Sequence, residues 1–137
     1  KSEEISAMHD KRYRKTSTLI QKLEKMTTVN RHGEDGPVIF TYGSTTLSVL
    51  EALRAGGLKA RVVQPIYLLP LPAWELEEYQ DSAPIVVEQS VSGQFATLLR
   101  DKLGVRPAEV IRRYDGRPFD PEELAGDLEK AMQQSGG

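Results

Sequence analysis

The residues that could do chemistry lie in a few short polar runs, and one of them follows the apolar run of residues 84–87. It begins with Glu88 and continues through Gln89, Ser92 and Gly93. A carboxyl group at the end of a strand could act as a general acid or base. No histidine lies near it in sequence, however, and the serines of the run lack a base. We therefore favour a hydrogen-bonded loop or a contact between domains over a catalytic acid.

A second run, Gly43-Ser44-Thr45, follows another apolar stretch and precedes a helical pattern. Free N–H groups at the start of a helix attract phosphate or carboxylate, so the run could cradle a small anion. It lacks the further glycines of a dinucleotide-binding loop and the Lys-Ser/Thr pair of a P-loop. We favour a plain turn in which Ser44 or Thr45 caps the helix.

The third run contains Asp115 and Arg117. Arg117 could clamp a phosphate or a carboxylate, or it could tie two loops together by pairing with Asp115, and we favour the structural role. His9 and His32 stand apart without companion ligands, so we predict no metal site.

Composition limits the classes of function. The chain has 137 residues, 39% of them hydrophobic and 28% charged, as in a globular domain. A net charge of -2 gives no general affinity for nucleic acid, and no apolar run is long enough for a membrane span or a signal peptide. The absence of cysteine excludes disulfides and cysteine-ligated clusters within this chain and suits a cytoplasmic location. Because the first residue is Lys1, we expect a piece of a longer protein.

Apolar runs alternate with helical patterns four times. The runs near residues 38–42, 59–66, 84–88 and 109–114 predict strands, and residues 45–55, 72–79, 93–103 and 121 onward predict helices. This alternation predicts an α/β fold with a mostly parallel sheet and helices on both faces. We expect residues 1–31 to form a helical connector and residues 32–137 to form the domain. In such sheets the loops that follow the strands form the functional edge.

Four of these runs together carry a family resemblance. They come in a fixed order, at residues 42–45, 67–73, 86–94 and 114–119. They closely resemble the C-terminal domain of the alpha subunit of 2-oxoacid:ferredoxin oxidoreductases, especially the 2-oxoglutarate type. The resemblance implies a transketolase C-terminal-like fold, a three-layer α/β/α sandwich on a five-stranded sheet. It also implies a first, antiparallel strand, which would come from residues 26–31.

The resemblance further implies the parent reaction. Such enzymes decarboxylate a 2-oxoacid on thiamine diphosphate with Mg²⁺, pass electrons through an iron–sulfur cluster to ferredoxin, and form an acyl-CoA. It implies that other alpha-subunit domains and the beta subunit hold these groups. No catalytic residue transfers onto this sequence, so we expect no cofactor in this fragment, no activity from it alone, and a role in assembly.

Two alternatives stay open. The chain could be the equivalent domain of another thiamine diphosphate enzyme, a transketolase or a 2-oxoacid dehydrogenase. It could also be a free-standing domain that binds an anion such as CoA through residues 43–46 and Arg117. If assembly is the role, an apolar patch should face a partner, and our candidates are Leu68, Leu69, Leu71 and Trp74.

Overall fold

A computed structural model describes residues 27–68, 70–113 and 117–135 of the chain. Within them, strands and helices alternate along most of the sequence. The strands are β1 (Val29–His32), β2 (Val38–Phe40), β3 (Arg61–Pro65), β4 (Ile85–Glu88) and β5 (Glu109–Arg112). The helices are α1 (Thr45–Gly56), α2 (Ala73–Leu76), α3 (Gln94–Leu103) and α4 (Pro121–Ser135), and a 3₁₀ turn, Glu77–Tyr79, continues α2.

The five strands form one sheet in the order β1-β3-β2-β4-β5. The pairs β2–β3, β2–β4 and β4–β5 are parallel, whereas β1 runs antiparallel to β3, with Val29 opposite Pro65. The antiparallel first strand that the resemblance implied is therefore confirmed, although it lies a few residues later than expected. Its residues 29–31 fall at the end of the expected connector, and residues 1–26 of that connector lie outside the described residues.

Two apolar layers cover the two faces of the sheet. One core joins the sheet to α2, the 3₁₀ turn and α3 through Leu76, Tyr79 and Leu99. The other joins the sheet to α1 and α4, which pack on each other. All four residues of β4 are buried, as a central strand covered on both sides requires. The predicted three-layer α/β/α sandwich is confirmed.

The edge strand β1 is tied to the layer of α2 by one arginine. The guanidinium of Arg31 donates to the Tyr79 hydroxyl at 2.9 Å, to the Glu75 backbone carbonyl at 3.0 Å and to the Glu78 carboxylate at 3.1 Å. A fork of donors can make these bonds at once, which a lysine could not. These contacts hold a short strand, whose two middle residues are exposed, against the rest of the domain.

Local signals set several of the element ends. Strand β3 ends at Pro65, because proline cannot donate to a further ladder bond. Asp120 caps α4, since its carboxylate accepts the Glu123 N–H at 3.0 Å. The cap was predicted at Ser44 or Thr45, and Ser44 is wrong: its backbone already has helical angles and its side chain makes no capping bond. A capping side chain needs the extended backbone that Ser44 lacks. Thr45 is the first residue of α1, and its hydroxyl donates to the Gln89 side chain.

Among the described helices, none combines the length and apolarity that crossing a membrane requires.

Candidate functional site

The loops that follow β2, β3, β4 and β5 meet at one edge of the sheet. Because these strands are parallel, their carboxyl ends share a side, here called the strand-end edge (residues 41–47, 66–68, 89–93 and 117–119). The chain leaves β2 toward β3 on one side and leaves β4 toward β5 on the other. The gap between β2 and β4 is therefore the switch point, where sheets of this kind bind their ligands.

Glu88, the last residue of β4, is completely buried beside this switch point. Its carboxylate accepts the backbone N–H of Phe95 at 3.0 Å and that of Ala96 at 2.9 Å. It also accepts the hydroxyl of Ser90 at 2.5 Å. The two N–H groups belong to the first turn of α3, where a negative charge is favoured by the helix dipole. A strand residue thus caps the helix that follows it.

Ser90 completes this arrangement. Its hydroxyl oxygen accepts the Gly93 N–H at 3.0 Å while it donates to Glu88. The loop between β4 and α3 is therefore closed around the chain's own carboxylate, and the hydrogen-bonded loop predicted there is confirmed. Two of the N–H groups that could have held an external anion at α3, those of Phe95 and Ala96, are therefore already bound by Glu88.

Gln89, the next residue, connects three of the loops. Its side-chain oxygen accepts the Thr45 hydroxyl at 3.3 Å, and its amide N–H donates to the Arg117 backbone carbonyl at 3.1 Å. These residues come from the segments after β4, β2 and β5. The structure therefore brings together three of the candidate site residues that the sequence suggested. The Gln89 amide joins the loops after β2, β4 and β5 across the switch point.

The remaining candidates stand in different environments. Gly43, Ser44 and Ser92 are exposed, and Gly93 is buried. Asp115 lies outside the described residues, so its suggested pairing with Arg117 is not described. Whether any of these residues contacts a ligand or another domain stays a prediction.

Two contacts at this edge were not predicted from the sequence. The Arg112 guanidinium donates to the Val91 carbonyl at 2.8 Å and so fixes the loop after β4 to the end of β5. The Tyr42 ring packs edge-on against Phe95, with centroids 4.8 Å apart. Burial raises the pKa of the Tyr42 hydroxyl, and the charge of nearby Glu88 raises it further. Both contacts join segments far apart in sequence, so no local pattern announces them.

The four apolar residues suggested as partner-facing are divided by the structure. Leu71 is buried in the domain's own core, so it offers little surface to a partner. Leu68 and Trp74 are half-buried, and Leu68 packs against that same core. Leu69 lies outside the described residues. The role of this segment in partner contact stays a prediction.

Two of the groups that the family resemblance implies, the iron–sulfur cluster and the metal ion, do not fit the residues that the structure describes. The sequence has no cysteine to ligate an iron–sulfur cluster. The described residues contain no group of three histidine, aspartate or glutamate side chains placed to hold a metal ion. The start of α3, one place for a diphosphate, already binds the Glu88 carboxylate.

Comparison with known proteins gives the relationship. No family model matches the chain. It is 32% identical over 130 residues to the "2-oxoacid:ferredoxin oxidoreductase 2, subunit alpha" of Aeropyrum pernix, covering 90% of this chain and 20% of that protein. It is 26% identical over 140 residues to the 2-oxoacid:ferredoxin oxidoreductase subunit alpha of Saccharolobus solfataricus, covering 97% of this chain and 22% of that protein.

Solved structures agree. The structure of 2-oxoglutarate:ferredoxin oxidoreductase from Magnetococcus marinus with 2-oxoglutarate, coenzyme A and succinyl-CoA bound superposes with a TM-score of 0.75 at 28% identity, over 93% of this chain and 23% of that one. A split-gene transketolase, described as an inactive beta4 tetramer, matches at a TM-score of 0.50 and 24% identity, over 78% of this chain and 41% of that one, and so shows the fold alone. The chain is similar to one part of the alpha subunits of 2-oxoacid:ferredoxin oxidoreductases, and it spans about a fifth of the length of the curated relatives it matches.

Proposed function

We propose that this chain is the non-catalytic, transketolase C-terminal-like domain of the alpha subunit of a thiamine-dependent 2-oxoacid:ferredoxin oxidoreductase. Its role is assembly: it packs against other alpha-subunit domains and the beta subunit. The whole enzyme works in the cytoplasm, oxidises a 2-oxoacid, forms an acyl-CoA and reduces ferredoxin. The proposed substrate is 2-oxoglutarate, supported by the similarity to the Magnetococcus marinus enzyme.

The state of Glu88 is the observation that carries the non-catalytic role. It was the one acid that the sequence offered for chemistry at a strand end. Its carboxylate is buried, and it accepts three hydrogen bonds from its own loop and helix. A general acid or base must reach the proton that it transfers. A carboxylate held in this way serves the fold.

The cofactors of the proposed enzyme belong to its other parts. Thiamine diphosphate with Mg²⁺ would supply the decarboxylation, and an iron–sulfur cluster would supply the electron transfer. This chain provides no cysteine ligand for the cluster, and the part described here shows no cluster of metal ligands. What this domain contributes is a sheet in which Gln89 joins three of the strand-end loops and Glu88 closes the loop after β4.

The alternatives have weaker support. The transketolase match shows the fold alone. A free-standing anion-binding domain would use helix starts, and the start of α3 is already occupied by Glu88. The start of α1 is what remains for that reading: there Gly43 and Ser44 are exposed.

The test uses the complete alpha subunit that contains this chain, produced with its beta subunit. We expect CoA-dependent reduction of ferredoxin with 2-oxoglutarate, faster than with pyruvate. Glu88→Gln should lower the yield and thermal stability of the complex but leave kcat per folded enzyme unchanged. The exposed control Glu51→Gln should also leave kcat unchanged. A stable complex that loses its kcat on Glu88→Gln would overturn the non-catalytic role. No turnover of any 2-oxoacid would overturn the proposed enzyme.

A further inference from the structure

Three segments that begin at the strand-end edge carry no charge. Residues 41–50, 66–74 and 89–99 contain no Asp, Glu, Lys, Arg or His, in a chain that is 28% charged. They follow β2, β3 and β4, which are neighbours in the sheet. Three uncharged segments that are far apart in sequence therefore lie side by side in the fold. Depletion of charge is a mark of the core of a protein interface.

The same segments expose large apolar side chains. Leu47 is 66% exposed, Val91 is 78% exposed, Ile66 is 44% exposed and Tyr67 is 40% exposed. We call these four residues the apolar rim. The other large apolar side chain exposed in the described part of the chain is Val110, at 36%, which lies on the edge strand β5. The exposed apolar surface is thus concentrated at one edge of the sheet rather than scattered, and such a patch marks an interaction site.

The opposite edge of the sheet has the contrary character. Its loops, which precede the parallel strands, present exposed charged side chains, among them Glu34, Asp35, Lys59, Asp81 and Arg106. That composition suits a surface that stays in water. The difference between the two edges indicates which of them is covered in the assembled protein.

The path of the chain indicates what covers it. Because β1 is antiparallel to β3 and Val29 lies opposite Pro65, the polypeptide enters β1 at the strand-end edge. There the Thr28 carbonyl accepts the Ile66 N–H at 2.8 Å, directly beside the rim. The chain therefore enters β1 from this edge, and the relatives are about five times as long as this chain.

We propose that the apolar rim is the docking surface for another domain of the same alpha subunit, one that presents an uncharged and largely apolar face. This inference rests on the proposed function. It places the contact on Leu47, Ile66, Tyr67 and Val91, outside the segment 68–74 that the sequence suggested.

The test compares two valines in the complete alpha subunit. Val91→Cys and Val110→Cys are near-isosteric changes, and labelling of each cysteine by a maleimide is followed on its own peptide by mass spectrometry. In the domain alone, Val91 is the more exposed of the two. If the rim is covered, the order reverses, and Cys at position 91 reacts slower than Cys at position 110, by about tenfold. Faster labelling at position 91 in the complete subunit overturns the proposal.

A second variant tests the contact itself. Leu47→Glu puts a carboxylate in the first turn of α1, where the helix dipole favours it, so the domain should still fold. Combined with Val91→Cys, it should restore fast labelling, whereas Val110→Glu in the same background should not. Protection at position 91 that appears only when the beta subunit is added would overturn the choice of occupant. Oxidoreductase activity of the same variants, measured after the beta subunit is added, reports separately on the proposed function.

Discussion

Replacing Glu88 by glutamine removes the charge that holds the start of α3. The variant keeps the size of the side chain, but its NH₂ group must face one of two backbone N–H donors, or the Ser90 hydroxyl that now donates to the carboxylate at 2.5 Å. Hydrogen bonds to charged groups contribute about 1.5–3 kcal/mol each, and a charge at a helix start adds up to about 2 kcal/mol. Removing a buried charge offsets part of this loss. We expect a net destabilisation of about 2–4 kcal/mol.

Denaturant unfolding of the 137-residue chain measures this loss. The matched control is Glu51→Gln, since Glu51 is exposed on α1 and its change should fall within about 0.5 kcal/mol. In a thermal scan, Glu88→Gln should lower Tm by about 8–16 °C, at about 4 °C per kcal/mol for a domain of this size. Hydrogen exchange should quicken first at the Phe95 and Ala96 amides, because their acceptor is the group that was changed.

A destabilisation no larger than that of the Glu51 control would refute this reasoning. It would mean that the helix start does not depend on the carboxylate. Glu88→Ala separates the effect of charge from that of shape. It leaves both N–H donors without an acceptor, and it also opens a cavity. Glu88→Ala should lower the free energy of unfolding more than Glu88→Gln does. An equal loss for the two variants would show that the loss of charge alone accounts for the effect.

Three further predictions follow from contacts elsewhere in the domain. Gly33→Ala should cost several kcal/mol more than Gly43→Ala: both glycines have positive φ, but a Cβ at Gly33 would meet the Ala60 carbonyl at 2.2 Å, whereas at Gly43 it meets nothing within 4 Å. Equal unfolding free energies for these two variants would contradict this steric account. Arg31→Met should lower the free energy of unfolding by about 1–2 kcal/mol, and Arg31→Lys should recover less than half, because only the guanidinium fork reaches three acceptors; full recovery by lysine would show that charge alone matters. Stability should fall as pH rises above 10, the ordinary pKa of tyrosine, because the unfolded chain releases the Tyr42 proton before the folded one does. Tyr42→Phe should make this alkaline loss smaller, and an unchanged pH profile would exclude the raised pKa as its source.

Much of the fold follows from local sequence signals. Residues 84–88 predict a buried central strand because their side chains are apolar almost without break, and β4 is buried throughout. Pro65 and Asp120 mark the end of β3 and the start of α4 because each acts on its own backbone or on residues three positions away. Strand β1 is a weaker case, since two of its four residues are exposed polar side chains and its periodicity alone did not identify it.

The site depends on contacts that no local pattern contains. Ser44 has the residue type of a cap, but its helical backbone prevents it from capping α1. Helix α3 is capped by Glu88, which lies in the preceding strand and is brought to the helix start by the turn at Gly93. Gln89 meets Thr45 and Arg117 because three parallel strands end side by side. These pairings follow from topology, so they appear only once the sheet order is known.

The most direct test of the central claim is calorimetric titration of the 137-residue chain with CoA and, separately, with thiamine diphosphate. We predict no heat of binding for either ligand, since this domain serves assembly and the buried Glu88 carboxylate holds its own helix. Saturable binding of CoA that is lost on Arg117→Ala would contradict it, because the strand-end edge would then hold a ligand site of its own.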